Sequence, residues 1–440
     1  MFENKKILVC GMARSGQAAA ILLREMGAIV TVTDTKADIT FDADFTRIEK
    51  RLGENPEDFV ENFDIIVISP GISVYAPFVK KAQALNIPVW GEAELAYRLC
   101  PCNMVAITGT NGKTTVTTLV GEIMKKHNPS TIVAGNIGVP LTSLVNTLTP
   151  QALVVAEISS FQLETIAAFR PKISAILNMT EDHLDRHLTM ENYIAAKSKI
   201  FENQRQIDKC VLNCDNSITK VLKPSCDVVY FSAKEELENG VFLREKWIIA
   251  KIKDSCGEEL KILNIAETRV MPENALAATA ISLLAGAPPE LIAETLRDFK
   301  GVPHRLEYVT TIDNTDYYND SKATNTDAAI KALESFDCPI VLIAGGYDKK
   351  TDFSPWVRQF VGKVTKLILI GETAEKIAVV CEAQNFSSYI YAKDLQEAVA
   401  LARSHAKPQG IVLFSPACAS FDMFKDFEHR GEVFKQIVQC

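Results

Sequence analysis

Between Lys5 and Asp34 the sequence runs through a β-branched stretch, a glycine turn, a helix-period segment (GQAAAILLREMG) and a second β-branched stretch (AIVTVTD). That succession is a βαβ unit, and it constrains the fold strongly, because parallel neighbours can be joined only by a crossover long enough to hold a helix. The runs DIIVIS and IPVWG continue a parallel sheet. The pattern restarts at MVAITGTNGKTTVTTLV and goes on through ALVVAEIS, ISAILNM and KCVLN. After an exposed hairpin expected around Trp247 to Leu263 it reaches the helix NALAATAISLLAGA. A third restart after Gly301 sets DYYND, PIVLIAGG, KLILIG, SYIYA and GIVLFSPA between helical stretches. At roughly 100–200 residues per domain, 440 residues accommodate three such α/β domains. The boundaries are expected near Gly91 to Leu95 and near Lys300 to Pro303. No short repeat or low-complexity tract interrupts them.

Charge narrows the partners. The chain carries 47 Lys plus Arg against 55 Asp plus Glu, a net charge of -8, with no dense basic block to follow a nucleic-acid backbone or an anionic membrane. Neither is an expected partner. MFENKKILVC enters a strand directly, with no signal-peptide apolar region, and no run approaches the ~18 apolar residues of a membrane span. Cytoplasm is the expected location. The eleven cysteines are scattered and lack paired CxxC spacing, so they read as reduced and structural, with Cys100 and Cys102 too isolated for a zinc site.

The chemistry gathers at expected strand ends. In ITGTNGKTT (Gly109, Thr110, Asn111, Gly112, Lys113, Thr114, Thr115) the glycines let backbone N–H groups approach phosphate oxygens. Lys113 brings a point charge to the outer phosphates, and the Thr114 hydroxyl is placed to ligate magnesium. The loop departs from G-x-x-x-x-G-K-[ST] because Ile107 stands where the first glycine would be, yet its place between strand and helix points to an ATP site. Glu157 ends the apolar run ALVVAE and would emerge beside the phosphates as a hard oxygen ligand. His183, in NMTEDHLDRH, follows another strand to the same edge, although a lone histidine is as often structural. AAKSKI puts Lys197 on the helix that follows, where the alternative to a functional role is a solvated lysine. At the N-terminus CGMARSG is a weak dinucleotide fingerprint, with Ala13 in place of the second glycine. It still offers a helix start beside Arg14 and Ser15 for a diphosphate, with Asp34 closing the next strand. SPG (Ser69 to Gly71) ends a later strand in the same way. In the third region His304, Arg305, Asp320, Lys322, Thr324, Lys349, Ser420 and Phe427 flank strands. Lysines and hydroxyls so placed suit an anionic amino acid or a phosphate.

Together these strings resemble the Mur ligase family over nearly the whole chain. The family-level marks are GTNGKTT, Glu157, AAK ending at Lys197, NALAA after Pro272, HRLE at His304 and DSKATN at Asp320. AGNIG at Ala134 to Gly138, EISSFQL, GGYDK and SPACASFDMFKDFEHRG are similar to the family member that adds D-glutamate. The resemblance implies a Rossmann-like domain for a UDP-sugar substrate (1–92), a central P-loop ATPase domain with a parallel sheet (93–300) and a C-terminal Rossmann-like domain for the amino acid (301–440). It implies that Lys113 and Thr114 hold ATP phosphates and magnesium. Glu157 and His183 would ligate metal, and Lys197, carbamylated by carbon dioxide, a second magnesium. Asn274 and Arg305 would hold ATP, with Asp320 at the ribose. Lys322, Thr324, Lys349, Ser420 and Phe427 would surround D-glutamate. Arg14, Ser15, Asp34, Thr35, Lys36, Ser69 and Gly71 match the UDP-holding segments, and Asn136 and Ser159 the muramoyl end.

The implied reaction is ATP-dependent amide formation through an acyl phosphate, on UDP-N-acetylmuramoyl-L-alanine and D-glutamate, by a monomer. Lys113, His183, Lys197 and Lys322 are the catalytic candidates. Folylpolyglutamate synthase shares the central loop and last domain but would lack residues 1 to 91. A nucleotide-binding regulator without turnover, or a dinucleotide oxidoreductase using CGMARSG, is a reading from another class; nucleotide binding without turnover marks the first and tight NAD binding the second.

Overall fold

The computed structural model describes residues 2–41, 44–253, 259–349 and 351–439. The chain divides into two compact units, Met1–Phe299 and Lys300–Cys440. The first unit holds two sheets. One is a five-stranded parallel sheet in the order Glu49–Leu52, Ile29–Asp34, Lys6–Cys10, Ile65–Ile68, Val89–Gly91. Successive side chains of a strand point to opposite faces. Ile7 and Val9 therefore pack with Ala19, Ala20 and Leu23 of the helix Arg14–Glu25, while Leu8 and Cys10 pack with Val79 and Ala82 of the helix Pro77–Ala84. Burial on both faces explains why KILVC is apolar without alternation.

The second sheet has nine strands: Leu260–Asn264, Trp247–Lys251, Gly240–Arg244, Asp227–Ser232, Lys209–Asn213, Ile173–Ile176, Asn103–Thr108, Leu153–Glu157 and Thr131–Gly135, in spatial order. Seven run parallel, and the first two form an antiparallel edge. That edge is the expected hairpin; its residues 254–258 lie outside the described ones. The helix Lys113–His127 packs beside Pro272–Leu284, whose residues from Ala275 to Leu283 are all buried. The two sheets are joined by buried carboxylates. Glu94, on the helix Glu92–Leu99, is fully buried and accepts N–H groups of Ala167, Ala168 and Phe169 at 2.9–3.0 Å. Glu92 accepts the N–H and hydroxyl of Thr142.

The second unit carries a six-stranded sheet: Glu307–Ile312, Thr315–Asn319, Ile411–Phe414, Ile340–Ala344, Val364–Leu369 and Tyr389–Tyr391. Only the first pair is antiparallel. Its two faces are filled around Leu342 and Leu413 on one side and Val341, Val412 and Phe434 on the other. Among the described residues no helix is long and apolar enough to cross a membrane, and the described cysteines are free thiols.

Candidate active site

Three crevices at carboxyl strand ends collect the residues expected to do chemistry. In an open parallel sheet a crevice forms where successive connections leave in opposite directions. In the first sheet that point lies between Lys6–Cys10 and Ile65–Ile68, and there the Ser69 hydroxyl donates to the Gly11 carbonyl at 2.7 Å. Gly16 sits where a Cβ would overlap that same carbonyl oxygen, so only glycine lets the helix start this close to the turn. The helix begins at Arg14 with no side-chain cap and no acidic residue in its first turn, leaving Ser15 beside N–H donors suited to an anion. Asp34 accepts the N–H groups of Met12 at 2.7 Å and Lys36 at 3.0 Å. Partial burial works to raise its pKa, but those N–H groups prevail and hold the carboxyl below its ordinary range. Thr35 and Lys36, which follow it, are exposed, as is Gly71 on the loop after Ile65–Ile68.

The central crevice follows Asn103–Thr108. Gly112, at φ +82, caps the helix Lys113–His127, and a Cβ there would come within 2.5 Å of Asn274 Oδ1. The Thr110 N–H donates to the Asn178 carbonyl, and the Asn111 N–H to Asn178 Oδ1 at 2.8 Å, so Asn178 shapes the loop. Lys113 Nζ donates to the carbonyls of Gly109 (2.9 Å) and Thr110 (2.7 Å). Lys197 is not the solvated lysine that stood as the alternative to a role in the site. It is 2% exposed, with Nζ 2.8 Å from the Gly109 carbonyl. Burial, then the charge of Lys113, pulls its pKa well below the ordinary lysine range, against Asp182 and Glu157. Glu157 is 1% exposed; Oε1 accepts Asn136 Nδ2 at 2.8 Å, while Oε2 is buried with no hydrogen-bond partner among the described residues.

Lys113, Thr114, Asn136, Glu157, Lys197 and Asn274 thus flank one strand edge. His183 lies on the turn before the helix Leu184–His187, with φ 54, its Nε2 3.6 Å from Asp182 and its ring 4.9 Å from that of Phe161. The Ser159 hydroxyl is engaged in a capping box with Gln162, which orients it at the start of the helix Ser160–Leu163. Sequence reading missed Asn178, Tyr193, Glu164, Arg186 and His187. Tyr193 OH is 3.0 Å from Thr110 Oγ1, and buried His187 reaches Ser160 at 3.0 Å and Glu164 at 3.4 Å. Spacing held one hint, since His187 lies one turn beyond His183.

In the second unit, Asp320 is 4% exposed and accepts the Ser415 hydroxyl at 2.7 Å and the Leu306 N–H at 3.2 Å. Burial pushes its pKa up to about 6, against the neighbouring hydroxyl and Arg305. Arg305 Nε is buried without a hydrogen-bond partner among the described residues. Lys322 Nζ lies 5.0 Å over the Phe427 ring. Buried Arg430 ties these loops together, donating to the Ser321 hydroxyl (3.0 Å) and carbonyl (2.8 Å) and to the carbonyls of Cys418 and Ala419 (3.0 Å each). The Tyr347 N–H donates to the Ala419 carbonyl, which brings the loop of Lys349 alongside the residue before Ser420. Thr324 follows on the turn that leads to the helix Thr326–Glu334. Lys322, Thr324, Lys349, Ser420 and Phe427 therefore share one sheet edge.

Comparison with known proteins gives a family for each segment. Residues 5–91 match the Mur ligase MurD-like N-terminal domain, 107–282 the Mur ligase middle domain, and 304–418 the Mur ligase glutamate ligase domain. The UDP-N-acetylmuramoylalanine--D-glutamate ligase of Thermoanaerobacter sp. (strain X514) is 45% identical over 99% of this chain and 98% of its own. The protein of that name from Pelotomaculum thermopropionicum is 46% identical with the same coverage. Among solved structures, UDP-N-acetylmuramate-alanine ligase MurC from Thermotoga maritima superimposes with TM-score 0.61 at 19% identity, covering 99% of both chains. MurF ligase from the same organism, in complex with ADP, gives 0.60 at 16%, covering 100% of this chain and 96% of its own. At those identities the likeness concerns the fold.

Proposed function

The chain belongs to the Mur ligase family of ATP-dependent ligases that build peptidoglycan precursors, and we propose that it joins D-glutamate to UDP-N-acetylmuramoyl-L-alanine, acting as a cytoplasmic monomer. In this reading residues 1–92 hold the UDP-substrate, 93–300 hold ATP and 301–440 receive the amino acid. The observation that carries it is the cluster at the end of Asn103–Thr108: a phosphate-type loop, a buried carboxylate with an unpaired oxygen, and a buried lysine biased toward its neutral form.

A carboxylate is a poor acyl donor. The alanyl carboxylate attacks the γ-phosphorus of ATP, the bond to the ADP oxygen breaks, and an acyl phosphate forms. The amine of D-glutamate then attacks the acyl carbon and phosphate leaves, the amine proton passing to solvent. Lys113 gives up its carbonyl partners to meet the phosphates, with N–H groups from Gly109 to Thr115 around them. Asn274 and Arg305 hold ATP, with Asp320 accepting from its ribose. Arg14, Ser15, Asp34, Thr35, Lys36, Ser69 and Gly71 seat the UDP moiety, with Asn136 and Ser159 toward the muramoyl end. Lys322, Thr324, Lys349, Ser420 and Phe427 hold D-glutamate, Lys322 offsetting its charge. Positioning and electrostatics supply most of the rate.

The donor set fits magnesium: unpaired Glu157 Oε2 is a hard oxygen aimed from a buried site, with Thr114 and His183 as further ligands. Bound magnesium would neutralise phosphate charge as the γ-phosphoryl group moves. The pKa of Lys197, held well below the lysine range by burial, favours the neutral amine, the form that would add carbon dioxide to give a carbamate and a proton and so a second anionic ligand. The test is phosphate release with ATP, UDP-N-acetylmuramoyl-L-alanine and a panel of amino acids. Release with D-glutamate alone is expected; release with L-lysine or diaminopimelate instead would overturn the assignment.

A further inference from the structure

Arg186 has no role in the reaction described above, yet its side chain is 13% exposed and its hydrogen bonds lead between two sites. Nη2 donates to the Ile72 carbonyl at 2.7 Å and Nη1 to the Gly71 carbonyl at 3.3 Å, both on the loop that follows Ile65–Ile68 in the first sheet. Nη2 also meets Glu164 Oε2 at 2.6 Å, and the guanidinium lies 4.9 Å over the Phe161 ring. Glu164 holds His187 through its other oxygen, and Phe161 touches the rings of His183 and His187. Leu184–His187 is a single turn between two left-handed residues, His183 at φ 54 and Leu188 at φ 69. Such backbone persists only where surrounding contacts hold it, and Arg186 and His187 supply those contacts.

We propose that Arg186 is a positioning residue that fixes the 69–72 loop against the turn bearing His183, and so sets the register of the UDP-substrate relative to the phosphate loop. Its planar fork suits this, because one side chain serves two carbonyls and a carboxylate while its guanidinium carbon lies over an aromatic ring. The Ile72 N–H donates to the Ser69 carbonyl, so the pinned carbonyls hold a closed turn from one side and leave exposed Gly71 open on the other. The inference rests on the reading that Ser69 and Gly71 contact the UDP-substrate.

The experiment is titration calorimetry on full-length wild type, Arg186→Gln and Arg186→Lys, with UDP-N-acetylmuramoyl-L-alanine and separately with magnesium and a non-hydrolysable ATP analogue, alongside steady-state kinetics and melting. Loss of charge-assisted hydrogen bonds should raise Kd and KM for the UDP-substrate by about 10- to 100-fold in Arg186→Gln. Arg186→Lys, which keeps the charge without the fork, should fall between; affinity for the ATP analogue should stay within about twofold of wild type and kcat within about threefold. Unchanged UDP-substrate affinity in both variants overturns the proposal. So does a parallel loss for both ligands with a lowered melting temperature in Arg186→Lys, which would mark a structural role. Wild-type protein that does not bind the UDP-substrate refutes the functional reading itself, a result distinct from wild-type binding that the variants share.

Discussion

Lys197 has its side-chain nitrogen buried, with one carbonyl at 2.8 Å and the Thr108 hydroxyl at 3.4 Å. Its folded pKa lies well below 10.5, so between those two values the unfolded chain binds a proton that the native chain does not, and stability rises with pH across that window. In buffer free of carbon dioxide, Lys197→Met should gain on the order of 1 kcal/mol at pH 7 in urea unfolding, the gain shrinking toward pH 10. It should have no ligase activity, and Lys197→Ala should regain part of its turnover with short carboxylic acids. A variant less stable than wild type at pH 7 refutes the burial argument, and unchanged turnover refutes the carbamate. Asp320 titrates in the opposite sense. Its folded pKa of about 6 exceeds 3.8, so the stability it contributes is full below 3.8 and lost as pH rises through 6. Acid therefore neutralises this carboxylate without unfolding its site. If the carboxylate accepts from the ribose, KM for ATP should climb roughly tenfold per pH unit below 6, at unchanged circular dichroism, and Asp320→Asn should flatten the profile. A wild-type KM constant from pH 8 to 5 removes Asp320 from nucleotide binding.

At the scale of elements, what sequence displayed was burial on both faces. The continuous apolar runs of Lys6–Cys10, Ile340–Ala344 and Ile411–Phe414 were legible because helices cover both sides of those strands. Glu49–Leu52 (EKRL) and Glu307–Ile312 were not, since each lies at a sheet edge, half exposed, paired to one neighbour, and shows no apolar period. The phosphate loop was legible from glycine and lysine spacing alone. Its supports, Asn178, Tyr193 and the Glu164–Arg186–His187 cluster, were not, because their roles come from partners 22 to 115 residues away or from ring contacts between helices. Gly16 shows how one element start depends on a single missing Cβ. Gly16→Ala must push the helix Arg14–Glu25 away from the Gly11 carbonyl and the Ser69 hydroxyl that donates to it. The expected outcome is a loss of UDP-substrate affinity of at least about tenfold with ATP-analogue affinity retained. Equal affinity for the UDP-substrate in calorimetry would separate this turn from the binding site.

At the scale of the molecule, the unit Met1–Phe299 has its own cores, one on each face of the first sheet and one beside the central strands, joined by Glu92 and Glu94. The unit Lys300–Cys440 has two of its own. A chain whose cores are closed within each unit should melt in two steps, because two-state behaviour belongs to a cooperative unit rather than to a polypeptide. Ligands acting on one unit then stabilise only that unit. At a hundred times its Kd, UDP-N-acetylmuramoyl-L-alanine adds about 2.7 kcal/mol to the state that binds it. For a unit of this size that is a shift of several degrees, about 2 °C or more per kcal/mol. Scanning calorimetry should therefore show two transitions, one raised by the UDP-substrate alone while the other stays in place. Glu94→Ala should lower the transition that the UDP-substrate raises, since it takes the buried acceptor from the N–H groups of Ala167, Ala168 and Phe169 and leaves that of buried Phe169 without its partner, and leave the second untouched. A single transition that the UDP-substrate shifts as a whole would mean that the two units unfold as one body, and the assignment of separate substrate-holding and amino-acid-holding units would lose its thermodynamic basis.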